Sequence, residues 1–337
     1  MTPLRVGLLG AGFIARMYVR ALENDHRTRI ALIADPDPEA VATSGATCPA
    51  VTPDELIRDP GVDCVCVLTP HSVHAEQVEA ALGAGKHVIV EKPLALDIEQ
   101  AETLLRTARA ARRHLIVRHY LRYAPFTTWI SRALARGALG PILTVSMEYA
   151  TNQMADLNRP GGWRGTWRGA GGGALMDLGV HGLDVLREVF GLQAVESCMC
   201  VTAGDARQDG ADDAAAVLAR LPSGGIAYLV VTCVDTSTAA PRWRWQAIGE
   251  RARVEVAGDW STASLSLTRP LPRPTTGFSR ANRHWTDWWE RANRASVRAA
   301  AQQIAEAAPN TASAERGVDT LRLVLSAYSA AGLSGSI

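Results

Sequence analysis

From Leu4 to about Val117 the chain alternates short apolar runs with stretches in which apolar residues recur every three or four positions. Leu4–Leu9, Ile30–Ala34, Cys64–Leu68, Val88–Val90 and Leu115–Val117 are largely apolar throughout, the pattern of strands covered on both faces. Ile14–Leu22, His74–Ala84 and Asp97–Ala111 read as the helices between them, and Gly85 stands where a helix-ending glycine belongs. Strand and helix in turn predict a doubly wound parallel sheet. After about His119 the rhythm changes. Pro125–Arg136 reads as a helix, Gly137–Pro141 breaks the chain, and Ile142–Thr151 alternates like a half-buried strand. Val195–Thr202, Ala214–Leu221, Ile226–Val234, Trp243–Gly249, Arg253–Val256 and Ser264–Leu267 follow, with a hairpin signal at Pro222–Gly225. An α/β domain over 1–119 is therefore expected, then an α+β domain over 120–337 with a large, mostly antiparallel open sheet. One face of such a sheet needs cover, which another subunit can supply.

Length agrees with two domains, since 337 residues exceed one ordinary core. A net charge of +1, from 35 basic and 34 acidic residues, gives no electrostatic reason to expect nucleic acid. No apolar run is long enough to span a bilayer, and the N-terminus reads as a first strand rather than a leader, so a cytoplasmic protein is expected. Cys64/Cys66 and Cys198/Cys200 share faces of apolar strands, which suits small buried thiols better than a zinc site. No metal is expected.

The first apolar run leads into Gly10-Ala11-Gly12-Phe13-Ile14-Ala15, a glycine fingerprint between a strand and a helix. Gly10 permits the tight turn, Gly12 lets the backbone approach a pyrophosphate, and Ala15 allows close helix–strand packing. Asp35 ends the second strand 20 residues past Ala15, the station of a ribose-binding acid. Its carboxylate would repel a 2′-phosphate, and no Arg, Lys or Ser follows Pro36 to welcome one. NAD is expected over NADP. Thr69, Pro70, His71 and His74 follow the third strand, where ligands of such sheets sit; each His either contacts the cofactor or caps the next helix. Glu91-Lys92-Pro93 occupies the same station after the fourth strand. Lys92 there can donate to a substrate oxygen or join a proton relay; the alternative is a surface lysine on a turn.

Gly171-Gly172-Gly173 opens a helix from about Ala174 to Phe190, on which Asp177, His181 and Asp184 stand at i, i+4 and i+7. Such a stripe on a buried-looking helix is costly unless its groups are paired or reach a cleft. Oxidising a secondary alcohol requires a base for the hydroxyl proton, and an imidazole titrates in the right range. Asp177 can orient the hydroxyl or stabilise the imidazolium. The competing reading is a first-turn Asp and a satisfied core His.

The fingerprint, Glu91-Lys92-Pro93 and the run from Gly171 to His181 resemble the glucose–fructose oxidoreductase / inositol dehydrogenase / rhizopine catabolism (Gfo/Idh/MocA) family. The likeness extends through Thr69-Pro70, Trp163-Arg164 and a closing helix over about 310–332. It implies a Rossmann domain followed by an α+β domain whose open sheet builds homodimers or homotetramers. It also implies a catalytic set of Lys92, Asp177 and His181, with His181 as general base.

Gly10, Gly12, Phe13, Ile14, Asp35, Thr69, Pro70, His74, Glu91 and Lys92 are the expected cofactor contacts. Asn152, Trp163 and Arg164, with Lys92, Asp177 and His181, are the expected substrate contacts. The segments Asn152–Arg159 and Trp163–Arg168 should form loops near the site, where Arg and Asn suit sugar hydroxyls and Trp can stack on a sugar face; Trp167 equally suits the core. Trp285, Trp288 and Trp289 have helical spacing and read as core or subunit contact. The expected activity is NAD-dependent hydride transfer at a secondary hydroxyl or ketone of a cyclitol or sugar. Rival readings are a keto-sugar reductase acting in biosynthesis on free or nucleotide-linked sugars, a glycosidase or lyase that oxidises transiently, and a non-catalytic NAD-sensing regulator.

Overall fold

The computed structural model describes residues 2–153, 162–202, 211–235, 241–270, 278–306 and 308–333. The stretch Met154–Arg159 of the expected substrate loop lies outside them. The chain divides into two compact units, Met1–Tyr120 with Asn293–Leu321, and Leu121–Ala292 with Arg322–Ile337.

In the first unit β1 (Leu4–Leu9), β2 (Thr28–Ala34), β3 (Cys64–Val67), β4 (His87–Glu91) and β5 (Leu115–Arg118) form one parallel sheet in the order β2-β1-β3-β4-β5. Their middles are fully buried, as the unbroken apolar runs require. The crossovers carry α1 (Ala15–Glu23), α2 (Pro38–Thr43), α3 (Pro53–Arg58), α4 (His74–Gly83) and α5 (Ile98–Ala110). Two of these, α2 and α3, have six residues each, too few to show a helical period; proline near the first turn and caps from Asp37 and Thr52 define them. Val297, Ala300, Ala301 and Ile304, far along the sequence, pack into the same core as Val6, Leu8, Tyr18 and Ile33.

In the second unit eight strands form one sheet in the order β13-β12-β11-β10-β6-β9-β8-β7. They are β6 (Ile142–Ala150), β7 (Ser197–Val201), β8 (Ala214–Arg220), β9 (Ile226–Thr232), β10 (Arg242–Gly249), β11 (Arg253–Gly258), β12 (Thr262–Pro270) and β13 (Phe278–Thr286). Among the described residues of this sheet only the β6/β9 pair is parallel. The inner face buries Leu229, Val231, Trp243 and Trp245, and Phe126 of α6 (Pro125–Ala135) packs edge-on to Trp245 and Trp288 at 5.0 Å between ring centres. On the outer face Met199, Leu218, Ile226, Tyr228 and Val230 are exposed.

Trp288 is buried in the core as expected, but the helical spacing of Trp285, Trp288 and Trp289 does not make one helix. Trp285 lies in β13, and Trp288 and Trp289 begin a separate helix, α9 in the numbering below (Trp288–Glu306). Asp287 between them has φ +49°, a left-handed turn that ends the strand and breaks any helical register across the three rings. Before that helix come α7 (Trp167–Ala170) and α8 (Val180–Phe190), and after it α10 (Ala312–Ala330). Among the described residues no helix is long and apolar enough to cross a membrane, and no cluster of three His, Cys, Asp or Glu could hold a metal ion.

Candidate active site

At the fingerprint β1 ends on Leu9 and α1 starts at Ala15. Gly10 has φ +100°, and a Cβ there would lie 2.7 Å from the Leu68 carbonyl oxygen, so this tight turn admits no side chain. A Cβ on Gly12 would meet nothing within 4 Å, which leaves an open approach to the backbone. No side chain caps α1 at Ile14, which is half-buried; Phe13 is exposed. Asp35 stands where β2 ends: Oδ2 accepts the Ala11 N–H at 2.7 Å and Oδ1 accepts the Asp37 N–H at 2.9 Å. The carboxylate is thus held against the glycine turn. These features fit NAD: the uncapped helix end suits the pyrophosphate and Asp35 the adenosine ribose.

The next two strand ends are tied together by His74. Its ring is fully buried, with Nδ1 2.7 Å from the Pro93 carbonyl oxygen and Nε2 2.9 Å from that of Thr69. Burial holds this imidazole below its ordinary basicity. The loop after β3 and the Lys92-Pro93 turn are therefore fixed to one residue. Thr69 is held further by its hydroxyl, which donates to Gln77 Oε1 at 2.6 Å, while Pro70 precedes a short 3₁₀ turn at His71–Val73.

The Lys92–Pro93 peptide is cis, and Lys92 is nearly buried. Glu91 beside it is engaged inside the fold. Its Oε1 accepts from the Tyr18 hydroxyl at 3.0 Å and from Arg118 Nε at 2.6 Å, because the parallel register sets Glu91 opposite Arg118. The other end of Arg118 donates from Nη1 to Asn293 Oδ1 at 2.7 Å and to Ser296 Oγ at 3.0 Å. Burial opposes the guanidinium charge, and Glu91 with Tyr18 and Tyr120 together outweigh it, so the proton is held more tightly than usual.

In the second unit the helix carrying Asp177 and His181 starts with a π turn, Leu175–Gly179, and continues as α8 to an αL cap at Gly191. Asp177 falls within the π turn, an irregularity that recurs at functional sites. Arg164 lies beside it, Nη1 to Oδ2 at 3.3 Å, with its guanidinium 5.0 Å over the Trp163 ring. His181 retains only 9% of its exposure. Asp184, the third member of the stripe, is fully buried and accepts both Arg122 Nε at 2.8 Å and Nη2 at 2.5 Å, so it serves the fold. Asn152 bridges Val234 at the end of β6 and is exposed. Trp167 is buried, edge-on to Tyr328 at 4.7 Å.

Sequence reading missed Tyr18, Arg118, Asp212 and Tyr328. An arginine ending a buried strand, and an acid pair heading another at Asp212-Asp213, were the signals available, since a buried charge demands a partner.

Residues 4–119 match an oxidoreductase family described by its NAD-binding Rossmann fold, and residues 128–255 match the C-terminal domain of the same family. A 1,5-anhydro-D-fructose reductase of Ensifer adhaerens is 33% identical over 227 residues, 66% of this chain and 67% of that one. Inositol 2-dehydrogenase of Rhizobium meliloti is 27% identical over 273 residues, 80% and 77% of the two chains. Other curated relatives align over about half their length. An aldose–aldose oxidoreductase of Caulobacter crescentus, solved with glycerol, superposes with a TM-score of 0.80 at 26% identity, covering 98% of each chain. With both halves matched, the chain belongs to the Gfo/Idh/MocA family of NAD-binding oxidoreductases.

Proposed function

We propose that the protein interconverts a secondary hydroxyl and a ketone on a cyclitol or sugar, with His181 as general acid/base. NAD, when bound, takes up or returns the hydride. The observation that carries this reading is the placement of His181, nearly buried, one turn beyond an Asp177 held beside Arg164 on a helix of the second unit. In the oxidative direction the imidazole takes the hydroxyl proton as the C–H bond breaks, and in reverse it returns that proton to the ketone oxygen. Asp177 orients the hydroxyl and favours the imidazolium, and Lys92 acts as a hydrogen-bond donor to substrate. Trp163, Arg164 and Asn152 contact the remaining hydroxyls.

The reductive direction is favoured by one finding, the resemblance to a 1,5-anhydro-D-fructose reductase. Both directions are tested together, by NADH formation from NAD with cyclitols and aldoses and by NADH consumption with keto-sugars. Turnover in either supports the reading; bound NAD with silence in both overturns it. The apolar outer face around Tyr228 and Val230 supports a homodimer or larger homo-oligomer. Light scattering should give a multiple of the chain mass, reduced in Tyr228→Asp; a wild-type monomer refutes it.

A further inference from the structure

The helix carrying Asp177 and His181 begins, like any helix, with four backbone N–H groups that have no partner inside it. Here two distant side chains and one carbonyl serve all four. Gly173 N–H donates to Asp212 Oδ1 at 2.8 Å and is 3.2 Å from the Tyr328 hydroxyl. Ala174 N–H donates to the Asp212 carbonyl oxygen at 2.8 Å. Leu175 N–H donates to Asp212 Oδ2 at 2.8 Å, and Met176 N–H to the Tyr328 oxygen at 3.2 Å. The Tyr328 hydroxyl closes the set by donating to Asp212 Oδ1 at 2.7 Å. Asp212 is 1% exposed.

The triple glycine is shaped around this pair. A Cβ on Gly173 would lie 1.8 Å from the Asp212 carbonyl oxygen, and one on Gly172, whose φ is +138°, 2.1 Å from the Tyr328 hydroxyl. A glycine-rich helix entry often cradles a ligand's anion. In this unit the anion is the protein's own carboxylate, and burial pushes its proton affinity up while the hydrogen bonds from Tyr328, Leu175 and Gly173 oppose that. Burying a carboxylate is costly unless it is fully bonded. What this one holds in place is the first turn of one helix, which runs into the π turn that contains Asp177.

We infer that Asp212 and Tyr328 are positioning residues for Asp177 and His181. The cap fixes the rotation and height of the first turn, Asp177 N–H bonds to the Gly173 carbonyl at 2.9 Å, and the helix then delivers His181 about one turn later. The inference rests on the reading of His181 as acid/base. Tyr328→Phe removes the hydroxyl shared by Gly173, Met176 and Asp212; Asp212→Asn leaves one of three donors without an acceptor.

Both variants should lower kcat by about tenfold to a hundredfold, the order expected when a reacting group is slightly displaced, with the affinity for NAD unchanged. The imidazole nitrogen resonances of His181, assigned by their loss in His181→Asn, should shift in Tyr328→Phe. A folded Tyr328→Phe protein with wild-type kcat overturns the inference, whatever its resonances do. If Asp212→Asn fails to fold, Tyr328→Phe alone decides. His181→Ala separates the two readings: turnover retained there removes His181 as acid/base, whereas its loss beside a fully active Tyr328→Phe removes only the positioning role. Should the wild type turn over nothing tried, an unmoved His181 resonance overturns the inference.

Discussion

Replacing Arg118 by methionine should destabilise the first unit by about 3 kcal/mol, the lower end of the range for breaking a buried ion pair. Arg118 and Glu91 keep 2% and 13% of their side-chain exposure, so the glutamate left behind is mostly cut off from water. Methionine matches the aliphatic stem and most of the volume, so the loss reads the charge rather than a cavity. Also lost are the donors to Asn293 and Ser296 and the guanidinium 5.2 Å above the Tyr18 ring. For a unit of this size the midpoint of thermal unfolding should fall by roughly 10 °C. Urea unfolding followed by far-UV circular dichroism measures the stability change. Hydrogen exchange over peptides spanning β4 and β5 should show faster exchange there. The double variant Arg118→Met/Glu91→Gln removes the stranded charge yet keeps an acceptor for Tyr18, and should recover about half the loss, ~1.5 kcal/mol. A single variant costing less than about 1 kcal/mol, or a double variant no more stable than the single, would refute this account.

Asp35→Ala should weaken NAD binding by about tenfold to a hundredfold through loss of a charged acceptor, read by titration calorimetry; unchanged affinity removes Asp35 from the ribose. His181→Ala should lower kcat by about a hundredfold or more and leave NAD affinity intact, checked by steady-state kinetics beside calorimetry. Burial, with His114 and Arg113 nearby, lowers the His87 imidazole to about 4. A histidine with a depressed folded value stabilises fully above its unfolded value, roughly 6.5, and loses that contribution as pH falls toward the folded one. Stability should therefore decline between about pH 6.5 and 4, and His87→Gln should flatten that decline in urea titrations across the window.

The cofactor half was legible because its signals are local. A glycine that must adopt φ +100°, an acid at the end of the second strand and wholly apolar strands each follow from the few residues around them. The same holds for the helix bearing Asp177 and His181, whose end at Gly191 was marked by its left-handed cap. Less was legible where geometry changes without a change in composition. The π turn at Leu175–Gly179 and the break at Asp287 leave no mark on hydrophobic periodicity, so the tryptophans around Asp287 show a helical spacing in sequence that the backbone does not keep.

By itself the sequence determined the doubly wound sheet, the antiparallel character of the second sheet and the residue types suited to hydride chemistry, because apolar period and turn chemistry act over a few neighbours. Which partner neutralises each buried charge was decided only in three dimensions. Glu91 meets Arg118 through strand register, Asp184 meets Arg122, and Asp212 reaches a helix start 39 residues away in sequence. Nor does any periodicity announce that Val297–Ile304 belong to the core of the first strands. The cost of an unpaired buried charge requires that a partner exist, but loop closure over such distances lets many residues supply it, and only packing selects one.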